Sequence, residues 1–498
     1  MSKPNIIFIM TDQQRWDCLG GLNPNVKTPT LDMLAENGVV FDQAVCQCPM
    51  CVPSRNSMMF GMYPSQIGVR SNFGGINDES RLPSKPLPQL LHDEGYFCAG
   101  FGKTHWNHGF NNEHPSRRGF DIRVIGQPRD CMLYEEGAVM MDDEDSEGMK
   151  AYFDEVEPFG MGEENYKGYL GCTSDVAPEH HRDGFVYKKC MEFLDNPPED
   201  KPLFLYLSFL KPHAGFNIPP EFEGMYNIKD IPEPYVPQPN EGPTGHIKAL
   251  SQSSDILRRI HEERREGWES LSREERKLAQ LRYWANCTFL DSFMGKVLKK
   301  AGDKGITDNA IIIFVSDHGD MMGERDYRFS KYCLYESSVR VPLIVSGSAL
   351  DKGLRGKVDG RPAELVDIIP TICDVAGIKA DPRMPGYSLL REPKRSGAFC
   401  EMHGGGPEGV QPAPAWMWRN NNYKLILYRE GNVLGDGQLC GELYNLKNDP
   451  YEKNNIYCSG ESTDVKLKMM EELISHKATV YAKGPAFWDM MGYKKLEG

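Results

Sequence analysis

The amino-acid sequence predicts an α/β protein with a large mixed, mostly parallel sheet flanked by helices, followed by a smaller α+β unit with a short antiparallel sheet. The first part is predicted by two observations. Uninterrupted apolar runs of strand length occur at residues 6–10, 203–207 and 310–315, and such runs are typical of parallel strands that are buried on both faces. Segments with helical periodicity separate the runs, as expected for strands that are joined by crossover helices.

The sequence pattern changes near residue 385, and this third observation predicts the smaller unit. Beyond it, short strands around residues 423–428 precede a closing helix near residues 465–477. A chain of 498 residues is long enough for two domains. We therefore predict a larger domain over residues 1–385 and a C-terminal domain over residues 386–498.

Composition and charge narrow the class of protein. Hydrophobic residues make up 40% of the chain, charged residues make up 26%, and the formal net charge is −14. This acidic balance argues against a nucleic-acid-binding protein. The N-terminus runs directly into a strand pattern with no signal peptide and no membrane-spanning run, so we expect a cytoplasmic protein without a membrane partner. The 14 cysteines are then expected to be reduced thiols.

The first apolar run leads to Asp12 and Gln13. Ligands of open α/β sheets bind beyond the carboxyl ends of the strands, so both side chains are placed where a site would form. Carboxylate and amide oxygens are suitable ligands for a hard divalent cation. On the residues alone, an ordinary helix N-cap is the favoured role for Asp12.

An amphipathic helix beginning near Thr28 follows, and the chain then reaches C-V-P-S-R at residues 51–55. Ser54 is a good helix N-cap, which predicts that the Cys51 thiol sits just ahead of a helix. The backbone N–H groups of a helix start and the Arg55 guanidinium both attract anions. A nucleophile beside an anion site suits acyl, phosphoryl or sulfuryl transfer, and the alternative is an ordinary buried cysteine in a proline turn.

Three later apolar runs also end in polar or ionisable side chains. Residues 97–101, 203–207 and 310–315 form these runs. The side chains that follow them are Lys103 and His105, then His213 with Lys211 as a lesser candidate, then Asp317 and His318. Because the carboxyl ends of parallel strands meet at one edge, we expect a pocket that combines metal ligands and cations and binds a tetrahedral anion.

Three motifs resemble the signatures of type I sulfatases, in the alkaline-phosphatase superfamily. They are C-x-P-S-R with Gly at the eleventh position, G-K-x-H at residues 102–105, and S-D-H-G at residues 316–319. Weaker matches run through nearly the whole chain in the family's order. Met59 and Phe60 replace the common Leu and Thr, and Gln13 replaces the second member of an acidic pair.

The resemblance implies an alkaline-phosphatase-like fold and a formylglycine that is made from Cys51 after translation and attacks sulfur as its hydrate. It also implies a bound divalent cation. The oxygen-rich ligand set makes Ca2+ the expected ion, while the imidazole keeps Mg2+ and Mn2+ open. The implied ligands are Asp12, Gln13, Cys51, Asp317 and His318.

The resemblance implies roles for the remaining motif residues. Arg55 would stabilise the nucleophile together with the cation. Lys103 and Lys331 would neutralise the sulfuryl oxygens, although the spacing before Lys331 differs slightly from the usual one. His213 would protonate the leaving alcohol, and His105 would accept the proton whose removal releases sulfate.

The implied partners are a sulfated small molecule or saccharide and a formylglycine-generating or anaerobic sulfatase-maturating enzyme. An oligomer is possible. Asn72 lies where some relatives place a polar residue on the substrate side, and a turn asparagine is the equal alternative. Substrate specificity is expected in loops at about residues 107–171 and 215–243 and in the C-terminal domain, with a carbohydrate sulfate favoured over a small aryl or alkyl sulfate.

Two other functions stay open. Phosphonate monoester and phosphodiester hydrolases of the same superfamily share the nucleophile and often the glutamine after the first Asp, but they tend to carry Tyr and Thr where this chain has Lys103 and His105. A binding protein that never receives the aldehyde is the other alternative, and the intact C-V-P-S-R motif argues against it.

Overall fold

A computed structural model describes residues 2–72, 74–76, 79–107, 114–129, 131, 133–159, 167–233, 263, 266–324, 329–391, 395–403, 415–428 and 441–483. The strands in this part of the chain are β1 (Asn5–Asp12), β2 (Gly38–Phe41), β3 (Ala44–Val45), β4 (Phe97–Gly102), β5 (Ile122–Ile125), β6 (Val139–Met140), β7 (Leu203–Pro212), β8 (Ala310–Ser316), β9 (Met321–Met322), β10 (Phe329–Ser330), β11 (Leu343–Ser346), β12 (Lys357–Asp359), β13 (Ala363–Glu364), β14 (Ala398–Met402), β15 (Ala415–Arg419), β16 (Tyr423–Tyr428) and β17 (Gly441–Asn445). The α-helices are α1 (Pro29–Glu36), α2 (Cys51–Phe60), α3 (Pro64–Ile67), α4 (Leu87–Asp93), α5 (Met141–Glu144), α6 (Ser146–Val156), α7 (Lys167–Leu170), α8 (Arg182–Phe193), α9 (Pro220–Glu223), α10 (Arg273–Asp303), α11 (Glu336–Val339), α12 (Ile368–Ala376) and α13 (Thr463–Lys483).

Nine strands form the central sheet in the order β12-β2-β11-β8-β1-β7-β4-β5-β6. Neighbouring strands are parallel except at β11, which is antiparallel to both β2 and β8. The prediction of a mixed, mostly parallel sheet is confirmed.

Strand β1 lies in the middle of the sheet, and both of its faces are apolar. Ile6, Phe8 and Met10 pack into the hydrophobic core on one side of the sheet, and Ile7 and Ile9 pack into the core on the other side. Each such buried side chain stabilises the fold by about 1.5–3 kcal/mol. This two-sided burial explains the continuous apolar run in the sequence.

The strand register brings the carboxyl ends of the central strands together. Within β1, Thr11 lies opposite Ser316 of β8, and Asp12 lies opposite Pro212 of β7. Strand β4 pairs with the other side of β7 and ends one residue before Lys103. The residues that follow these four strands therefore share one edge of the sheet.

Helix α1 begins where the sequence predicts it, but its N-terminal cap comes from a distant residue. The Thr28 side chain makes no capping hydrogen bond. The Asp291 carboxylate of α10 instead accepts the backbone N–H groups of Thr30 and Leu31, both at 2.9 Å. Burial raises the pKa of Asp291 to about 6, although these hydrogen bonds oppose the shift.

The C-terminal part contains the predicted antiparallel sheet, in the order β14-β15-β16-β17, and α13 packs against it. A buried ionic cluster joins this sheet to the larger part: Glu336 of α11 accepts hydrogen bonds from Arg419 at 2.8 Å and from Lys424 at 3.1 Å. The domain boundary at residues 385 and 386 stays a prediction. Within the described residues, no helix has an apolar stretch of the length needed to cross a bilayer.

Candidate active site

Cys51 is the first residue of α2 and does not lie ahead of it. The prediction that Ser54 caps this helix is wrong, because the Ser54 hydroxyl donates a hydrogen bond to the backbone oxygen of Asp317 at 2.5 Å. Met50 occupies the cap position with an extended backbone. Gly61 ends the helix at a positive φ of 63°, where an added Cβ would lie only 3.0 Å from Met384 Sδ.

Arg55 joins the two aspartates that were predicted as metal ligands. Its Nη2 donates to Asp12 Oδ2 at 2.9 Å, and its Nε donates to Asp317 Oδ2 at 2.7 Å. Its Nη1 donates to the Lys103 backbone oxygen at 2.8 Å and to Ser208 Oγ at 3.0 Å. The guanidinium is fully buried, so it fixes both carboxylates and the ends of three strands in one arrangement.

Cys51 lies among the predicted metal ligands. Its Sγ is 3.3 Å from His318 Nε2 and 3.9 Å from Asp12 Oδ1. One ligand atom from each of Asp12, Cys51, Asp317 and His318 lies within 4.8 Å of the others, and all four residues are buried. His318 Nδ1 donates to the Gly319 backbone oxygen at 2.9 Å, which leaves Nε2 facing the group.

This donor set fits a divalent cation. It combines two carboxylates with an imidazole whose orientation a second hydrogen bond fixes, as metal-binding histidines usually show. Burial alone would lower the pKa of His318, but the charges of Asp317 and Cys51 raise it to about 9. The site therefore favours a positive charge at Nε2, which a cation would supply in place of the proton.

Gln13, the other predicted ligand, borders this group. Its Oε1 accepts a hydrogen bond from Lys331 Nζ at 3.0 Å, and its Nε2 has no partner among the described residues. Its backbone has a positive φ of 68°, and its N–H donates to Asp317 Oδ1 at 3.0 Å. Its role as a ligand stays a prediction.

Two lysines bring positive charge to the thiol. Lys103 Nζ lies 2.5 Å from Asp12 Oδ2, and Lys331 Nζ lies 3.3 Å from His213 Nε2. Burial and the Asp12 charge act to raise the pKa of Cys51, but Lys103, Lys331 and His318 outweigh them and lower it. The pocket stabilises an anion at residue 51.

Asn72 and His105 were predicted to face the substrate or the nucleophile. Asn72 Oδ1 accepts the backbone N–H of Val52 at 3.1 Å, and its Nδ2 donates to the Tyr332 hydroxyl at 3.3 Å. Asn72 therefore holds the first turn of α2, and contact with substrate stays a prediction. His105 is buried beyond β4 with a positive φ of 58°, and its role also stays a prediction.

Sequence reasoning missed several supporting residues. The Tyr206 hydroxyl donates to the Lys103 backbone oxygen at 2.8 Å, and the Tyr283 hydroxyl donates to the Gln13 backbone oxygen at 2.7 Å. Tyr206 lies within the apolar run of β7 and Tyr283 lies within the long helix α10, and nothing in the sequence marks either tyrosine as special. Ser208, which bonds Arg55, interrupts the apolar face of β7, and that polar residue was the one available signal. In the predicted specificity loops, residues 108–113, 130, 132, 160–166 and 234–243 lie outside the described residues.

Comparisons with known proteins agree with the family resemblance that the sequence motifs indicated. The Sulfatase family model matches residues 4–378, and the model of the N-sulphoglucosamine sulphohydrolase C-terminal region matches residues 323–479. An arylsulfatase of Clostridium perfringens (strain 13 / Type A) is 30% identical over 482 residues, which cover 92% of this chain and 91% of that protein.

Two solved structures share the fold. The phosphonate monoester hydrolase of Agrobacterium radiobacter has a TM-score of 0.73 and 22% identity over 96% of both chains. A structure in complex with its substrate D-glucosamine-2-N,6-O-disulfate has a TM-score of 0.70 and 21% identity over 97% of this chain and 99% of the other. The predicted alkaline-phosphatase-like fold is confirmed, and the chain belongs to the sulfatase family, a family of sulfuric ester hydrolases.

Proposed function

We propose that this sulfuric ester hydrolase removes sulfate from a carbohydrate or a small organic sulfate, with a formylglycine made from Cys51 as nucleophile and one divalent cation beside it. The observation that carries the proposal is the convergence of Cys51 with Asp12, Asp317 and His318 within 4.8 Å. We propose Ca2+ as the ion, with Mg2+ and Mn2+ as alternatives, because oxygens from Asp12, Gln13 and Asp317 make up most of the proposed ligand set.

The chain's own residues prepare this site for an anionic nucleophile. The formylglycine hydrate would supply the attacking oxygen, and the cation would stabilise its charge. Arg55 holds both carboxylate ligands by charged hydrogen bonds, at 2.9 Å to Asp12 and 2.7 Å to Asp317. Because these groups are buried and already ordered, little reorganisation is needed when charge develops.

Lys103 and Lys331 would bind the sulfuryl oxygens. Both side chains are almost fully buried, and both lower the pKa of Cys51, so their charges reach the reacting position. Charge shifts within the sulfuryl group and to the bridging oxygen as the ester bond breaks. Fixed ammonium groups in a site of low effective dielectric stabilise that distribution.

Two histidines would move the protons. His213 Nε2 lies 3.3 Å from Lys331 Nζ, so an ester held by Lys331 would have its leaving oxygen close to this imidazole. His213 is proposed to protonate that oxygen, and His105 is proposed to accept the proton whose loss releases sulfate.

The second candidate is a phosphonate monoester or phosphodiester hydrolase. It is supported by Gln13 after Asp12 and by the fold that this chain shares with a phosphonate monoester hydrolase. A likeness at 22% identity concerns the fold alone. The Lys103 ammonium in contact with Asp12 favours the sulfate ester, since the other class tends to carry Tyr at this position.

The test has two parts, carried out on protein that is co-expressed with a formylglycine-generating or anaerobic sulfatase-maturating enzyme. Peptide mass spectrometry should show Cys51 converted to the aldehyde, and that protein should hydrolyse sulfate esters. Cys51→Ala should abolish turnover while the free energy of unfolding changes by no more than about 1–2 kcal/mol. Near-wild-type hydrolysis by Cys51→Ala would exclude the formylglycine mechanism, and unmodified Cys51 throughout would favour a binding protein.

A further inference from the structure

Lys211 lies next to the candidate active site, but its ammonium points into a separate buried network. Its Nζ donates to the backbone oxygen of Gly215 and, at 2.8 Å, to Asn217 Oδ1. Lys211 is 2% exposed, and no carboxylate forms an ion pair with it in the described part of the chain. The proposed mechanism does not use this side chain.

Both acceptors belong to the loop that carries His213. His213 lies between Lys211 and Gly215 in the sequence, and its Nδ1 contacts the Ala214 backbone oxygen at 3.3 Å. Across the loop, the Gly168 backbone oxygen accepts the N–H of Gly215 at 2.9 Å. The loop is therefore held between the end of β7, through Lys211, and the α7 segment.

The network behind Asn217 is also ordered. Asn217 Nδ2 donates to Glu155 Oε1 at 3.2 Å, and the Tyr152 hydroxyl donates to Asn217 Oδ1 at 3.4 Å. The Lys211 ammonium thus meets an acceptor whose own position is fixed by α6. This arrangement suits the task of holding a loop in one conformation.

Stability alone is a poor explanation for Lys211. Burying an ammonium without a carboxylate partner is unfavourable, and an apolar side chain of similar volume would often serve as well or better. Burial accordingly lowers the pKa of Lys211. The Lys211 ammonium is costly to bury, and it contacts the loop that bears the candidate proton donor His213. A role in positioning that loop explains the ammonium better than a role in stability does.

We infer that Lys211 is a positioning residue for His213, and that its hydrogen bonds to Gly215 and Asn217 keep the imidazole at the leaving oxygen of the substrate. The inference rests on the proposed function, because it takes His213 as the proton donor. Proton donation matters most for poor leaving groups, whose oxygens are strongly basic. Loss of the Lys211 ammonium should therefore slow esters of weakly acidic alcohols more than esters of acidic phenols.

The test compares phenyl sulfate with 4-nitrophenyl sulfate on aldehyde-bearing protein. Lys211→Met should lower kcat/KM about 30-fold or more for phenyl sulfate and less than about threefold for 4-nitrophenyl sulfate. His213→Ala should show the same pattern, and the double variant should be no slower than His213→Ala. Lys299→Met, at an exposed lysine that pairs with Asp303, is the matched control and should leave both rates unchanged.

Equal losses on the two esters, or no loss on either, would overturn the inference. So would a crystal structure of Lys211→Met in which His213 and the 213–217 loop superpose on the wild type. If Lys211→Met does not fold, Asn217→Leu should give a smaller loss with the same leaving-group dependence. A wild type that hydrolyses only phosphonate esters would contradict the proposed function, and the same pair of leaving groups on aryl phosphonates would then test Lys211 by itself.

Discussion

At the scale of single residues, Lys103 and Arg55 together keep the Asp12 carboxyl group ionised. Burial acts to raise the pKa of Asp12, but the charges of Lys103 and Arg55 hold it well below its ordinary value. The negative charges of Asp317 and Asp12 in turn raise the pKa of Arg55 well above its ordinary range, against the effect of burial. The Asp12 carboxylate is therefore held in its ionised form, which is the form that binds a cation.

Asp317→Asn should lower cation affinity and turnover together. The change removes one negative charge from a site that already has Gln13 in place of an acid, and it leaves the Arg55 Nε without its carboxylate at 2.7 Å. We expect a loss of at least about tenfold in both properties, with partial recovery in excess cation. Elemental analysis and kcat/KM measure the two effects, with the exposed Asp154→Asn as control. Unchanged metal content with retained activity would mean that the metal assignment is wrong.

The candidate site residues could be found from the sequence because each follows an apolar strand or lies in a motif. What could not be found were contacts between residues far apart in the chain. The bond from Ser54 to the Asp317 backbone spans 263 positions, and local N-cap chemistry alone suggested a different role for Ser54. Ser208 and Tyr206 support Arg55 and Lys103 from inside β7, and only the sheet register places them there.

At the scale of elements, continuous apolar runs predicted β1, β4, β7 and β8 closely, because a strand that is buried on both faces carries apolar side chains at successive positions. Helix ends were harder to predict. Helix α2 starts at Cys51, ahead of the serine that was predicted to cap it. Helix α1 receives its cap from Asp291, which lies 261 positions after Thr30 in the sequence. Capping by a distant carboxylate leaves no local signal.

Asp291→Ala should destabilise the fold by about 1–2 kcal/mol. The change leaves the N–H groups of Thr30 and Leu31 without their acceptors at a partly buried helix start. Chemical denaturation monitored by circular dichroism measures the loss. Asp303→Ala, which removes an exposed partner of Lys299 near the other end of α10, should change the free energy of unfolding by less than about 0.5 kcal/mol. Equal effects of the two changes would contradict the capping role.

At the scale of the whole molecule, the two predicted domains are held together by buried charge as well as by apolar packing. Glu336 accepts hydrogen bonds from Arg419 and Lys424 of the C-terminal sheet, and Lys424 also pairs with Glu452 at 2.8 Å. We propose residues 386–498 as the C-terminal domain. The change in sequence pattern near residue 385 indicated the small sheet. The ion pairs across the boundary could not be predicted, because a sequence does not show which charged residues will pair with one another.

Glu336→Gln should weaken this junction in a pH-dependent way. Burial acts to raise the pKa of Glu336, but Arg419 and Lys424 outweigh it and lower the pKa below its ordinary value of 4.5. Its stabilising contribution is therefore fully present above about pH 5 and is lost as the pH falls through the lowered value. At pH 7 we expect a loss of about 3 kcal/mol on substitution. The difference in Tm between variant and wild type should shrink from pH 6 to pH 3, and a constant difference would contradict the assignment.

The central claim is that the pocket around Cys51 is built for sulfate esters, and kcat/KM for a matched aryl sulfate and aryl phosphonate on aldehyde-bearing protein tests it most directly. The wild type should prefer the sulfate. Lys103→Ala should lower kcat/KM for that ester by a factor that corresponds to a loss of about 2–4 kcal/mol of transition-state stabilisation, because one fixed positive charge is lost from the anion site. A wild type that prefers the phosphonate by about tenfold or more, a difference of about 1.4 kcal/mol, would contradict the claim.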